Sequence, residues 1–235
     1  MFLLGYIYFF VITVWFSFGI RYWTADDPQL EWTRHLNWAM GIRLHKKHGS
    51  PPINDDGPTI LLGNHRGVAD ISIHDVITEG SASFLGRYIV AFMLPAIWFM
   101  TRWVNTVWYF KRGGNANSMD KFYAWLDKNF EWPYNMRKNL IVFPEGHRND
   151  TNRPLPVRSG MLQYAWARKY KVQIYIVKGS ENVMDERAIS CDFAHHDLHY
   201  LVDKPIDPLY YRSADEFVEH VKKRYESKFY EIYNA

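Results

Sequence analysis

The chain has 235 residues, 48% of them hydrophobic and 17% aromatic, with a formal net charge of +3. That length suits one α/β domain with or without a short anchor, and the aromatic content and small net charge exclude a disordered chain. A single cysteine, Cys191, excludes an intramolecular disulfide, and the basic excess is too small to point to nucleic acid.

Residues 1–20 carry no charged side chain. At about 1.5 Å per residue, a helix of that length just spans a hydrocarbon layer of about 30 Å, which predicts a membrane anchor over residues 1–22. Arg21, Arg34, Arg43, Lys46 and Lys47 follow it. By the positive-inside tendency they place the globular part on the cytosolic side of a membrane, the endoplasmic reticulum or a bacterial inner membrane. The aromatic excess also fits a bilayer interface. Residues 23–56 read as an amphipathic connecting region, punctuated by Gly49-Ser50-Pro51-Pro52 and Asp55-Asp56-Gly57-Pro58, and residues 57–235 as the main domain.

Within that domain, short β-rich runs at 59–62, 106–110, 140–143, 172–177 and 200–202 predict strands. Residues 118–130, 160–170 and 214–233 predict helices. In the last of these, Phe217, Val221, Tyr225 and Phe229 are spaced four apart and paint one apolar face, and Ser213 with Glu216 makes a capping-box pattern at its start. The apolar stretch 88–110 is broken by Pro95 and carries Arg102, so it reads as a partly buried helix leading into a strand rather than as a second span. Alternating strands and helices imply an α/β fold with a mixed, largely parallel sheet flanked by helices.

Two segments that follow predicted strands carry the chemistry, and strand C-termini are where open α/β sheets build sites. The first is Gly63-Asn64-His65-Arg66-Gly67-Val68-Ala69-Asp70. An imidazole takes a proton near neutral pH, and a carboxylate on its far nitrogen fixes its tautomer. On one straight helix His65 and Asp70 would lie about 140° apart. They meet only if the intervening residues turn before a helix begins, and Gly67 is expected to ease that turn. Taken alone, a His-x4-Asp pair is common by chance, and His74 and Asp75 nearby read as incidental crowding.

The second segment is Phe143-Pro144-Glu145-Gly146-His147-Arg148. Pro144 and Gly146 predict a tight turn at a strand end, with backbone amides near Gly146 as candidate oxyanion donors. Arg148 offers a planar fork for phosphate or carboxylate, and Glu145 is expected to hold a hydroxyl or to pin neighbouring groups.

Together the two segments resemble the lysophosphatidic acid acyltransferases and their relatives in glycerolipid synthesis. The Asn-His-x4-Asp motif of that family is met by Asn64, His65 and Asp70, and its Phe-Pro-Glu-Gly-(Thr/Ser)-Arg motif by Phe143, Pro144, Glu145, Gly146 and Arg148. Pro95 and Arg112 resemble its second motif, Arg158-Ser159-Gly160 a basic-x-Gly signature, and residues 202–206 its late strand-to-turn signature. His147 stands where the family has Thr or Ser, Trp98 where the second motif often has Gly, and Tyr175 near a usual Pro. The resemblance implies acyl transfer from acyl-CoA or acyl carrier protein to the free hydroxyl of a lysophospholipid, with 1-acyl-glycerol-3-phosphate leading and dihydroxyacetone phosphate or other lysophospholipids as alternatives. It implies His65 as general base oriented by Asp70, and Asn64, Arg112, Glu145, Gly146, His147 and Arg148 as substrate contacts. No cofactor or metal is expected, and the bilayer is the expected partner.

Other readings are sparser. Cys191, His195 and His199 fall four apart, but the run leads into a predicted strand and reads as exposed polar residues rather than as a metal site. Asn149-Asp150-Thr151 is a glycosylation sequon, set against the cytosolic expectation. A hydrolase using water as acyl acceptor, and a membrane-anchored lipid-binding protein without catalysis, are the functional alternatives.

Overall fold

The computed structural model describes residues 7, 11, 27–88, 90–91, 98, 101, 105–111, 118–132, 137–149, 151–185, 190–191 and 195–234. The expected anchor over residues 1–22 lies outside them apart from Ile7 and Val11, both exposed. Among the described residues no helix is long and apolar enough to cross a membrane.

A seven-stranded sheet organises the chain. Its strands are β1 (Ile42–Lys46), β2 (Thr59–Gly63), β3 (Ala82–Arg87), β4 (Val107–Phe110), β5 (Asn139–Val142), β6 (Lys171–Lys178) and β9 (His196–Val202), in the order β1-β9-β6-β2-β5-β3-β4. A short hairpin of β7 (Met184–Asp185) and β8 (Ser190–Cys191) stands apart. Strands β6, β2, β5, β3 and β4 are mutually parallel, whereas β9 runs antiparallel to β6 and carries β1 parallel to itself. The sheet is therefore mixed and largely parallel, and the loops after β2, β5 and β6 leave from one end of adjacent strands.

Both faces are covered, as a parallel sheet requires. Along the central strands the side chains alternate. Ile60, Leu62, Leu140, Val142, Ile174 and Ile176 pack with helices α3 (Met119–Phe130), α4 (Gly160–Arg168) and α5 (Ala214–Tyr233). Leu61, Ile141, Tyr175 and Val177 face α1 (Pro28–Ala39) and α2 (Asp70–Ile77). Phe217, Val221, Tyr225 and Phe229 of α5 are fully buried, and each such side chain contributes about 1.5–3 kcal/mol of burial. The start of α5 is capped where the sequence places it: Ser213 Oγ accepts from the Glu216 amide at 3.2 Å, and the Glu216 carboxylate accepts from the Arg212 amide at 3.0 Å, one residue before the cap.

Residues 28–46 correct the expected connecting region over 23–56. Asp27 caps α1 by accepting from the Leu30 amide at 3.0 Å, and Trp32 and Leu36 of that helix, with Met40 at its C-cap, enter the core. Strand β1 then closes the sheet edge against β9. The segment belongs to the domain because its apolar residues have their partners on α2 and the sheet, which its own sequence does not reveal. Strand β9 also begins at His196, earlier than the expected 200, because β1 pairs with its first five residues.

Candidate active site

The loop between β2 and α2 begins with a close approach. A Cβ on Gly63 would lie 2.7 Å from the Tyr175 hydroxyl, so only glycine fits there. Asn64 follows, fully buried, with Nδ2 donating to the Val177 carbonyl at 2.7 Å and Oδ1 accepting from the Val177 amide at 2.8 Å. Both ends of its amide are thus committed to β6. The expected substrate contact at Asn64 is corrected to a clamp that fixes the loop on the neighbouring strand.

Residues 67–69 turn and α2 starts at Asp70. Gly67 sits in that turn without a left-handed backbone and lies against the 180–184 segment, where a Cβ would sit 3.5 Å from the Met184 carbonyl. The turn brings the carboxylate back under the loop. Oδ2 of Asp70 accepts from His65 Nδ1 at 2.7 Å and from the amides of Arg66 and Gly67 at 2.6 and 3.0 Å. Burial opposes ionisation of Asp70, but the hydrogen bond and charge of His65, with the charge of His74 and the Gly67 amide, hold its carboxyl below the usual carboxylate range. With the carboxylate accepting at Nδ1, the neutral ring of His65 carries its proton there and leaves Nε2 as the basic nitrogen.

The ring of His65 is half-buried and stacks on Phe143, centroids 4.4 Å apart and planes 14° apart. A second imidazole, His74, meets Phe143 edge-on at 5.2 Å and exchanges a hydrogen bond of 2.7 Å with the Tyr175 hydroxyl. Burial is the main cause that pushes His74 down to about 4, against the charge of Asp70. Asp75 is paired with buried Arg137 at 2.5 Å, and Arg137 also forks onto Asp27. His74 and Asp75, incidental in the sequence, are thus both core residues with partners.

Strand β5 delivers the second segment. Residues 144–146 form the predicted turn, with Gly146 at φ +74° and its amide donating to the Phe143 carbonyl at 3.1 Å. That amide is therefore used inside the turn and is not one of the amides near Gly146 open to an oxyanion. Glu145 points inward, only 2% exposed, and accepts from the Tyr225 hydroxyl of α5 at 3.0 Å. Burial pushes its carboxyl up, while Tyr225, Asn149, the Leu155 backbone and Arg66 pull it down. Through Oε1 the side chain anchors the turn to α5, while Oε2 is buried without a hydrogen-bond partner.

His147 and Arg148 are exposed on the same turn, and His147 Nε2 accepts from Arg158 at 2.9 Å. A Cβ on Gly146 would meet the same guanidinium at 2.7 Å, so Arg158 lies across the turn. Asn149 closes the loop onto the first segment, its amide N–H donating to the His65 carbonyl at 2.8 Å. Its side chain is buried and bonded to Thr151 and Arg153, which leaves the sequon closed in the folded chain. Arg112 lies outside the described residues. His199, one of the four-apart run, stacks on His45, and His45 pairs with Asp197 at 2.7 Å. Among the described residues no group of three or more His, Cys, Asp or Glu is placed to hold a metal ion.

Residues 42–177, more than half of the chain and inclusive of both segments, match the family model described as Acyltransferase. The chain belongs to the acyltransferase family. Its fold is similar to that of the 1-acyl-sn-glycerophosphate (LPA) acyltransferase PlsC from Thermotoga maritima, at 16% sequence identity and a TM-score of 0.59, with 97% of each chain covered. No curated protein matches the sequence. In this acyltransferase the two motifs noted in the sequence meet through His65–Asp70, His65–Phe143 and His65–Asn149. Sequence reasoning missed the side chains that hold them, Tyr175, Tyr225, Arg66 and Glu181: Arg66 occupies an unspecified position inside the first motif, and the other three lie outside both motifs.

Proposed function

We propose that the protein transfers a fatty acyl group from a thioester, acyl-CoA or acyl carrier protein, to the free hydroxyl of 1-acyl-glycerol-3-phosphate. The observation that carries this reading is the 2.7 Å bond between His65 Nδ1 and the buried Asp70 carboxylate, which leaves Nε2 as the base. Nε2 takes the acceptor's hydroxyl proton as its oxygen attacks the thioester carbonyl. The C–O bond forms, the C–S bond breaks, and the proton passes to the departing thiolate. Asp70 stabilises the imidazolium in between, and Phe143 beneath the ring adds a cation–π contact. General-base assistance of this kind contributes about 10²–10⁴-fold in rate, and positioning supplies the rest. The scheme uses no cofactor.

Arg148 and His147 on the exposed turn are assigned to the acceptor's phosphate, which suits a guanidinium fork. Arg112 shares that assignment from the motif resemblance. The uncharged leader of residues 1–20 supports membrane attachment, with the catalytic domain on the cytosolic face. The test is incubation of the full-length chain with labelled oleoyl-CoA and a panel of lysophospholipids and dihydroxyacetone phosphate. We expect a diacyl product with 1-acyl-glycerol-3-phosphate, its loss in His65→Ala, and chiefly a raised acceptor KM in Arg148→Ala. Thioester consumption indifferent to every acceptor would refute the transfer and favour hydrolysis.

A further inference from the structure

The residue that follows the base is Arg66, and nothing in the proposed chemistry uses its side chain. It is buried, with Nε 3.2 Å from Glu181 Oε2 and NH2 3.0 Å from Oε1, a side-on fork. Its third nitrogen donates to the Thr151 carbonyl at 2.5 Å, and the guanidinium carbon lies 5.1 Å from the centre of the Tyr233 ring at the end of α5. Glu181 is itself set by the turn after β6, where it accepts from the Gly179 amide at 3.2 Å and Gly179 takes φ +100°. Nε and NH1 of Arg66 thus donate to protein acceptors, while NH2 meets the Glu181 carboxylate as an ion pair without hydrogen-bond geometry, so the charge of the group is balanced within the protein. Its backbone, meanwhile, donates to Asp70 at 2.6 Å. One side chain thus ties the loop that carries the base to the loop that follows Arg148 and to the turn after β6.

We propose that Arg66 and Glu181 are positioning residues that fix the separation between His65 and the loop bearing Arg148, so that a lysolipid hydroxyl rather than water reaches the base. The inference rests on the acyl-transfer reading above. In the acceptor, the distance from phosphate to hydroxyl is set by covalent bonds, so the two loops that hold them must keep one spacing. A displacement of about 1 Å costs on the order of 10²-fold in such reactions. Water carries no such constraint. Loosening the clamp therefore slows transfer, in which the thioester C–S bond is exchanged for an ester C–O bond, more than hydrolysis, in which water takes the acyl group and the products are carboxylic acid and thiol.

The experiment compares the full-length chain with Arg66→Met, Arg66→Lys and Glu181→Gln, using oleoyl-CoA and 1-oleoyl-glycerol-3-phosphate, and scores diacyl product formed per thiol released. Arg66→Met is expected to slow transfer by about 10²-fold and to lower product per thiol by about tenfold, with acceptor KM changed by less than about threefold. Arg66→Lys restores part of both by keeping the charge, and Glu181→Gln falls between because its amide oxygen still accepts from Nε. A second arm needs no turnover: in protein labelled with ¹⁵N-histidine, the His65 Nδ1 proton resonance shifts or broadens in Arg66→Met and returns towards its place in Arg66→Lys. An unchanged product-to-thiol ratio in a variant whose melting temperature is kept, or an unmoved His65 resonance, overturns the clamp. A wild-type chain that makes no product with any acceptor refutes the transfer reading instead, and the resonance arm then decides the clamp alone.

Discussion

Replacing Asp70 by asparagine tests the site at its centre, because the change keeps volume and removes charge. Oδ2 of Asp70 accepts three N–H groups, from His65, Arg66 and Gly67, whereas Oδ1 is buried with no hydrogen-bond partner. If the asparagine keeps its oxygen at the Oδ2 position, the three donors stay satisfied and the new NH2 takes the Oδ1 position, buried and unpaired. Leaving one such donor unsatisfied costs about 1–3 kcal/mol. If it flips, its NH2 faces two backbone amides and an imidazole, and His65 moves its proton to Nε2, where the base should act. The first orientation keeps the tautomer but removes the charge that stabilises the imidazolium, and the second protonates the nitrogen that should act as base, so kcat should fall by about 10³–10⁴-fold, beyond any loss expected from the small destabilisation.

The stability of that variant carries a pH signature. The carboxyl of Asp70 is held below its ordinary range in the folded chain, so its contribution is present at neutral pH and is lost as pH falls through the folded value. The gap in melting temperature between wild type and Asp70→Asn should accordingly be widest near neutrality and close in acid. Steady-state kinetics with oleoyl-CoA and a lysolipid, beside thermal unfolding from pH 7 down to pH 3, makes the comparison. A variant with kcat within about tenfold of wild type, or a melting gap that stays constant into acid, would refute the role given to this carboxylate.

Two further outcomes follow from the layer beneath the site. His74 titrates at about 4 in the folded chain against 6.5 ordinarily, so the native state binds fewer protons between those values and stability drops as pH falls through that window. The loss approaches about 3 kcal/mol in full; urea unfolding at pH 7 and pH 4 measures it, and His74→Gln should flatten the profile. Gly63→Ala should destabilise by about 1–3 kcal/mol, because its Cβ would meet the Tyr175 hydroxyl at 2.7 Å. Cζ of the same ring would lie at 2.8 Å, so the clash is with the ring as a whole; thermal unfolding measures the loss, and a Gly63→Ala variant as stable as wild type would show that the contact is not limiting.

Much of the site was legible because its signals are local. The His65–Asp70 spacing demanded a turn before a helix, and the chain makes one. Pro144 and Gly146 announced a turn at the end of a buried strand, and Gly146 adopts the left-handed backbone that such a turn needs. Helix α5 showed its buried face through four residues spaced four apart, and its cap through Ser213 and Glu216. Periodicity and turn chemistry depend on neighbours within a few residues, so a sequence displays them directly.

The rest depended on which distant segments pack together. Strand β1 is polar along much of its length and is a strand because β9 lies beside it. Asn64 and Glu145 sit inside motifs that suggested substrate contacts, yet their polar atoms meet Val177 and Tyr225, more than 75 residues away in the chain. Arg66 carries the same guanidinium as Arg148, but one is buried against Glu181 and the other is exposed on a turn. The sequence by itself therefore determined the family, the strand–helix alternation and the His65–Asp70 pair to which proton transfer is assigned in the proposal. Only the tertiary structure decided which polar side chains stay exposed beside the two motifs and which are spent holding the loops, because a buried polar group must find its partner, and in this fold many of those partners are supplied by the neighbouring strand and the last helix.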